Sequence, residues 1–131
     1  MAMQAQFAEQ MLDIARTTFA ALPLEMREAA GRVNTRVEPF AAPEVLADFG
    51  IENPYHLTGL YHGVPLTHES VTFPSVEAPT IFLYAEPILA EWRARGGVSL
   101  EELVAHVFIH ELGHHFGYTD EEMHALVDGE D

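Results

Sequence analysis

The residues with the clearest chemical potential lie in the stretch Val104 to Met123. Within it, His110, Glu111 and His114 form the pattern H-E-x-x-H. Residues four apart on an α-helix lie on the same face, so the two histidines can present their imidazoles to one metal ion. Glu111 then lies beside that ion without being needed as a ligand, which is the place of a general base. The pattern predicts metal-assisted hydrolysis.

Two further residues, Gly117 and Asp120, extend the pattern to H-E-x-x-H-x-x-G-x-x-D. A helix that carries two ligands cannot supply the third at tetrahedral angles, so the chain has to leave the helix and turn back. Gly117 suits this turn because helices commonly end in a left-handed residue, which glycine adopts without steric cost. Asp120 is the predicted third ligand, and a fourth position would stay open for water. A longer turn would bring His124, Glu121 or Glu122 to the metal instead.

A zinc ion held by two imidazoles and one carboxylate would lower the pKa of a bound water to about 7. Glu111 would take the proton of that water as it attacks a carbonyl and pass it to the leaving amine. The predicted reaction is hydrolysis of an amide bond in a peptide or protein. Charge on the carbonyl oxygen needs a donor, and Tyr84, His115 and Tyr118 are the candidates.

Two more histidines flank this pattern. His115 lies four residues after Glu111 on the same helix face, and a supporting or structural role is preferred for it over contact with the substrate. His106 lies one turn before His110 on nearly the same face, where it either supports the ligands or packs in the core.

The composition restricts the classes of partner. The chain of 131 residues has 6 basic and 21 acidic residues, a net charge of −15, and such a surface repels nucleic acid and anionic membranes. It has no cysteine, so metal ligands must come from His, Asp or Glu. The N-terminus carries Glu9 and Asp13 and no basic region, unlike a signal peptide. We expect a cytoplasmic single domain over residues 1–131, as a monomer or small homo-oligomer.

The helices and strands that position the site are predicted from the periodicity of apolar residues and from the residues that end helices. The almost wholly apolar run 79–84 is expected in the middle of a sheet, and Pro65 places its own strand at an edge. Ser99 and Glu102 form a capping box that starts the H-E-x-x-H helix. We predict helices at 3–20, 43–49, 86–95, from 100 onward and at 121–127, strands at 32–40, 57–67 and 79–84, and a loop at 70–79.

Two histidines and two glycines lie near the predicted edge strand. His62 and His68 are interpreted as surface or packed imidazoles, because a lone histidine outside a spaced pair is seldom a ligand. Gly59 and Gly63 suggest a bulge or a tight bend in the strand.

Three blocks of sequence resemble a known family, the minimal zincins. They are LTGLYHGVPLTHES at 57–70, PTIFLY at 79–84 and HVFIHELGHHFGYTDEEM at 106–123. The resemblance covers a core at 24–123, with residues 1–22 as an N-terminal helix outside it.

This resemblance implies an α+β fold in which a small mixed β-sheet packs on a backing helix and on the active-site helix. It also implies zinc at His110, His114 and Asp120, with Glu111 as the base. Ala85 departs from the family pattern, which often has a basic residue there. The alternative is a non-catalytic zinc-binding module for peptide or protein interaction. Peptide deformylases also use H-E-x-x-H, but their third ligand is a cysteine, which this chain lacks.

Overall fold

The computed structural model describes residues 2–63 and 78–117 and shows the predicted α+β fold. The predicted final helix at 121–127 and most of the predicted loop at 70–79 lie outside these residues. The α-helices are α1 (Ala2–Ala20), α2 (Leu24–Ala30), α3 (Pro43–Asp48), α4 (Ala85–Arg95) and α5 (Leu100–His115). The strands are β1 (Asn34–Glu38), β2 (Gly59–His62) and β3 (Thr80–Tyr84), and a short 3-10 helix spans Pro54–His56.

The described strands form a mixed sheet in the order β1-β3-β2. The central strand β3 runs parallel to β1 and antiparallel to β2. This confirms the prediction that the apolar run at 79–84 occupies the middle of the sheet. β2 lies at one edge of the described sheet, as Pro65 had indicated for its strand.

The two faces of the sheet have different surroundings because side chains alternate along each strand. Ile81 and Leu83 point to the helices and are fully buried, whereas Phe82 points to the opposite face. The helices α1 and α5 pack together on the first face. Buried core residues from these elements and α4 include Met11, Ala15, Ile81, Leu83, Ile88, Leu89, Leu103, Val104, Phe108 and Leu112.

Helix α5 begins where the sequence predicts. Its start is fixed by the expected capping box, in which Ser99 Oγ accepts from the Glu102 N–H at 3.1 Å and Glu102 Oε1 accepts from the Ser99 N–H at 3.2 Å. The predicted apolar face is buried along its length. It comprises Leu100, Leu103, Val104, Val107 and Phe108.

The sequence prediction missed helix α2. Its apolar residues Leu24 and Met26 are 58% and 39% exposed, and only Ala30 is buried, so no amphipathic periodicity marks it. Pro23 stands at the N-cap of α2 and makes no side-chain hydrogen bond to the helix, so no capping pattern marks its start either. Among the helices of the described ranges, none is both long and apolar enough to cross a bilayer.

Candidate functional site

The two histidines of the pattern lie side by side on the last two turns of α5. The ring centroids of His110 and His114 are 5.1 Å apart, with the ring planes at 83°. Both side chains are partly exposed. Two imidazoles on one helix face at this spacing fit two of the three protein ligands of a catalytic zinc site.

The side chain of Glu111 lies on the side of α5 that faces the edge strand β2, and the residue is only 9% exposed. The backbone of β2 passes close to it at Gly59. A Cβ on Gly59 would lie 2.7 Å from Val107 Cγ1, 3.2 Å from the Phe82 carbonyl oxygen and 3.3 Å from Glu111 Cγ. Only glycine therefore lets β2 approach the helix this closely.

This finding corrects the interpretation of Gly59 as a bulge or bend. The pairing of β2 with β3 continues without interruption from Gly59 opposite Leu83 to His62 opposite Thr80. The glycine is required by the close approach of β2 to α5, a contact that strand periodicity alone does not reveal.

An open groove of about 300 Å³ lies along this part of α5. One wall is formed by His106, His110 and Glu111 of α5, and another by residues 56–59 before and at the start of β2. Glu91 and Arg95 of α4 line it as well, and they form an exposed ion pair at 3.2 Å. His106 is exposed and shares this groove with His110.

His115 points away from solvent and is 2% exposed. Its Nε2 lies 2.7 Å from the Ala30 carbonyl oxygen, and its Nδ1 lies 2.7 Å from the Tyr61 hydroxyl oxygen. A carbonyl oxygen can only accept, so the neutral ring carries its proton on Nε2 and accepts from Tyr61 at Nδ1. Both ring nitrogens are thus occupied by protein groups.

Tyr84 is 3% exposed and stands at the end of β3. Burial raises the pKa of its hydroxyl to about 12, and the charges of Glu38 and Glu111 act in the same direction. Glu111 is thus close enough to influence Tyr84. However, Tyr84 lines a different cavity, of about 460 Å³, on the outer face of the sheet with Phe82 and other residues.

The chain leaves α5 where the pattern requires a turn. The helix ends at His115, and Gly117 has a φ of 91°, in the region that favours glycine. The Gly117 N–H donates to the His114 carbonyl oxygen at 3.0 Å. The predicted end of the helix at this glycine is therefore confirmed.

The remaining predicted site residues lie outside the described ranges. Within residues 2–63 and 78–117, no group of three or more His, Asp or Glu side chains is arranged to hold a metal ion. His62 is exposed on the edge strand and lines the outer-face cavity, apart from the groove at His110. The predicted site residues that fall outside are Asp120, Tyr118, His124, Glu121, Glu122 and His68.

Sequence reasoning missed three contributors to this region. Tyr61 bonds His115 across a separation of 54 residues, and Glu91 and Arg95 bring α4 to the groove. The alternation of β2 places Tyr61 on the same face as Gly59, which could have indicated a contact with the helix. The partner on that helix becomes known only from the packing.

The family model of zincin-like metallopeptidases matches residues 30–130. The match includes every described strand, together with α3, α4 and α5, and leaves α1 outside. A comparison with curated proteins gives no match.

Proposed function

Because the chain belongs to the zincin-like metallopeptidase family, we propose that it is a zinc-dependent peptidase with Glu111 as the general base. The predicted resemblance to the minimal zincins is confirmed at the level of the family. The observation that carries the proposal is that His110 and the buried Glu111 line an open groove, with the ring of His114 beside that of His110.

We assign the zinc ligands to His110, His114 and Asp120. Zinc, when bound, would polarise the substrate carbonyl and acidify a water molecule. His110 and His114 are held four residues apart on one helix, which brings both imidazoles to the same face. Asp120 follows Gly117 by three residues, so the turn at that glycine supports its return toward the two imidazoles.

Glu111 accepts the proton of the attacking water and delivers it to the leaving amine. Its side chain is well suited to this because it is only 9% exposed and its stem lies against Gly59 of β2. A carboxylate held in one orientation loses little conformational freedom when it transfers a proton.

The substrate is a peptide or protein that lies in the groove between α5 and residues 56–59. This wall leads into an edge strand of the described sheet, and edge strands can pair with an extended peptide. Tyr84 lines the outer-face cavity and not this groove, so we do not assign it the role of stabilising the carbonyl oxygen.

The test compares the wild-type protein with Glu111→Gln for zinc content and for cleavage of a broad peptide library. We expect about one zinc per chain in both proteins and a loss of cleavage of at least about 100-fold in the variant, as for removal of a general base. Glu101→Gln, an exposed carboxylate on the same helix, is the matched control and should cleave normally.

Loss of zinc from Glu111→Gln would overturn the assignment of that residue as a base, because it would then act as a ligand. Equal cleavage by both proteins would exclude it from the reaction.

The second candidate function is a zinc-binding module that holds a peptide without cleaving it. The open groove of about 300 Å³ favours it, because this volume is at the lower end of pockets that enclose a ligand. In that case the library would be bound in a zinc-dependent manner, with no turnover that depends on Glu111.

A further inference from the structure

The second histidine of the zinc pair stands where a helix is weakest. His114 is the penultimate residue of α5. The last four carbonyl groups of a helix have no partner within it, so terminal turns fray more readily than the centre. An imidazole in such a turn would not keep a fixed direction without support from elsewhere.

His115, the next residue, provides contacts to two other elements. It accepts from the Tyr61 hydroxyl of β2 and donates to the carbonyl of Ala30, the last residue of α2. His115 and Glu111 are the buried polar or charged residues of the described ranges, and His115 is the more deeply buried. Hydrogen bonds in such a site are strongly directional, because a misplaced ring would leave buried polar groups unpaired.

The contact of Tyr61 with His115 is the second of two matched contacts between β2 and α5. In the first contact, Gly59 of β2 lies against Glu111 of α5. In the second, Tyr61, two residues after Gly59, bonds His115, four residues after Glu111. Two strand residues advance by about 6.8 Å and four helical residues by about 6 Å, so strand and helix stay in register between these points.

We propose that the Tyr61–His115 pair is a positioning device for the metal site, which holds the last turn of α5, and with it His114, in the ligating orientation before metal binds. This inference rests on the proposed function, which identifies the metal as zinc and His114 as one of its ligands. His115 is a positioning residue here and touches neither metal nor substrate, since both of its nitrogens are occupied.

The test is Tyr61→Phe, which removes one hydroxyl and keeps the ring. Amide hydrogen exchange of residues 112–117 is measured in the metal-free protein, and the zinc Kd is measured by competition with a chromophoric chelator. We expect faster exchange in this turn with unchanged exchange at the start of α5, and a zinc Kd about 10-fold weaker, as for other groups that orient a ligand. Tyr55→Phe removes a hydroxyl from a 48% exposed ring and should change neither quantity.

A second variant, His115→Gln, separates this role from general stability. The glutamine amide nitrogen can still donate to the Ala30 carbonyl, but its acceptor oxygen is bonded to the same carbon and does not occupy the position of the imidazole Nδ1 that accepts from Tyr61. We expect an effect on the zinc Kd similar to that of Tyr61→Phe, and little further loss in the double variant, because both changes break the same hydrogen bond.

Additive effects of the two changes would overturn the proposal, as would faster exchange along the whole of α5 or an unchanged zinc Kd. If the wild-type protein binds no zinc, the proposed function fails and the role toward the metal falls with it. The exchange data would still decide whether the pair holds the last turn.

Discussion

The two ends of helix α5 are fixed by different kinds of interaction. At its start, Ser99 and Glu102 pair with each other's backbone N–H groups across three residues of sequence. At its end, His115 bonds Tyr61 and Ala30 across 54 and 85 residues. The first arrangement is local and the second depends on the packing of β2 and α2 against the helix.

The two kinds of interaction determine different properties of the helix. A capping box determines where a helix begins, but it does not determine what the helix faces. A long-range contact determines where one turn lies relative to a strand and another helix. His110, Glu111 and His114 belong to the half of α5 that is held in the second way, so the site depends on the fold as a whole.

The largest expected effect is at the long-range end, for His115→Ala. The change leaves the Ala30 carbonyl and the Tyr61 hydroxyl without their buried partner and creates a cavity. We expect the free energy of unfolding to fall by about 3 kcal/mol, measured by urea denaturation without metal. His106→Ala, an exposed change on the same helix, should cost less than about 0.5 kcal/mol. Equal losses in the two variants would remove the distinction between long-range and surface histidines.

Gly59→Ala tests the other contact between β2 and α5. The new methyl group would meet Val107 Cγ1 at 2.7 Å and the Phe82 carbonyl oxygen at 3.2 Å, and the backbone oxygen cannot rotate away. We expect a loss of about 2 kcal/mol, typical of overpacking. Gly97→Ala is the matched control, since its Cβ would have no neighbour within 4 Å. A neutral Gly59→Ala would show that strand and helix can separate without cost.

Ser99→Ala tests the local end of α5. Loss of the hydroxyl that accepts from the Glu102 N–H should lower the free energy of unfolding by about 1 kcal/mol. The zinc Kd should stay unchanged, because His110 and His114 lie at the other end of the helix. Thr17→Ala, an exposed change within α1, serves as the control for stability. A weaker zinc Kd in Ser99→Ala would mean that the two ends are not independent.

The same contrast explains how far the sequence predicts this molecule. Local patterns identified the start of α5, the central strand β3 and the end of α4 at Arg95, because each depends on neighbouring residues. Helix α2 was missed because it buries little apolar surface and therefore has no periodicity to detect.

The candidate site was predictable to a similar extent. Helical spacing alone places His110 and His114 together. It does not show that Gly59 lies against Glu111 or that Tyr61 reaches His115, because these contacts depend on how β2 packs on α5. Physical reasoning from spacing therefore finds residues within one helix more readily than the residues that hold that helix in place.

The effect expected to be smallest at neutral pH concerns Tyr84, because its hydroxyl is protonated there in both the folded and the unfolded chain. Its pKa is raised from 10.0 to about 12, first by burial and then by Glu38 and Glu111. The unfolded chain therefore loses this proton at lower pH than the folded protein does. The corresponding stability is fully present below pH 10.0 and is lost as the pH rises toward about 12.

Urea denaturation across this alkaline range should show a decline in the wild-type protein that is shallower in Tyr84→Phe. Glu111→Gln should lower the pKa of Tyr84 slightly, seen as an earlier rise in tyrosinate absorbance, because the least of its three causes is removed. The tyrosinate absorbance of Tyr84 would then show whether the charge of Glu111 acts on the Tyr84 hydroxyl. Superimposable titrations of the wild type and Glu111→Gln would show that the charge of Glu111 does not contribute to the raised pKa of Tyr84.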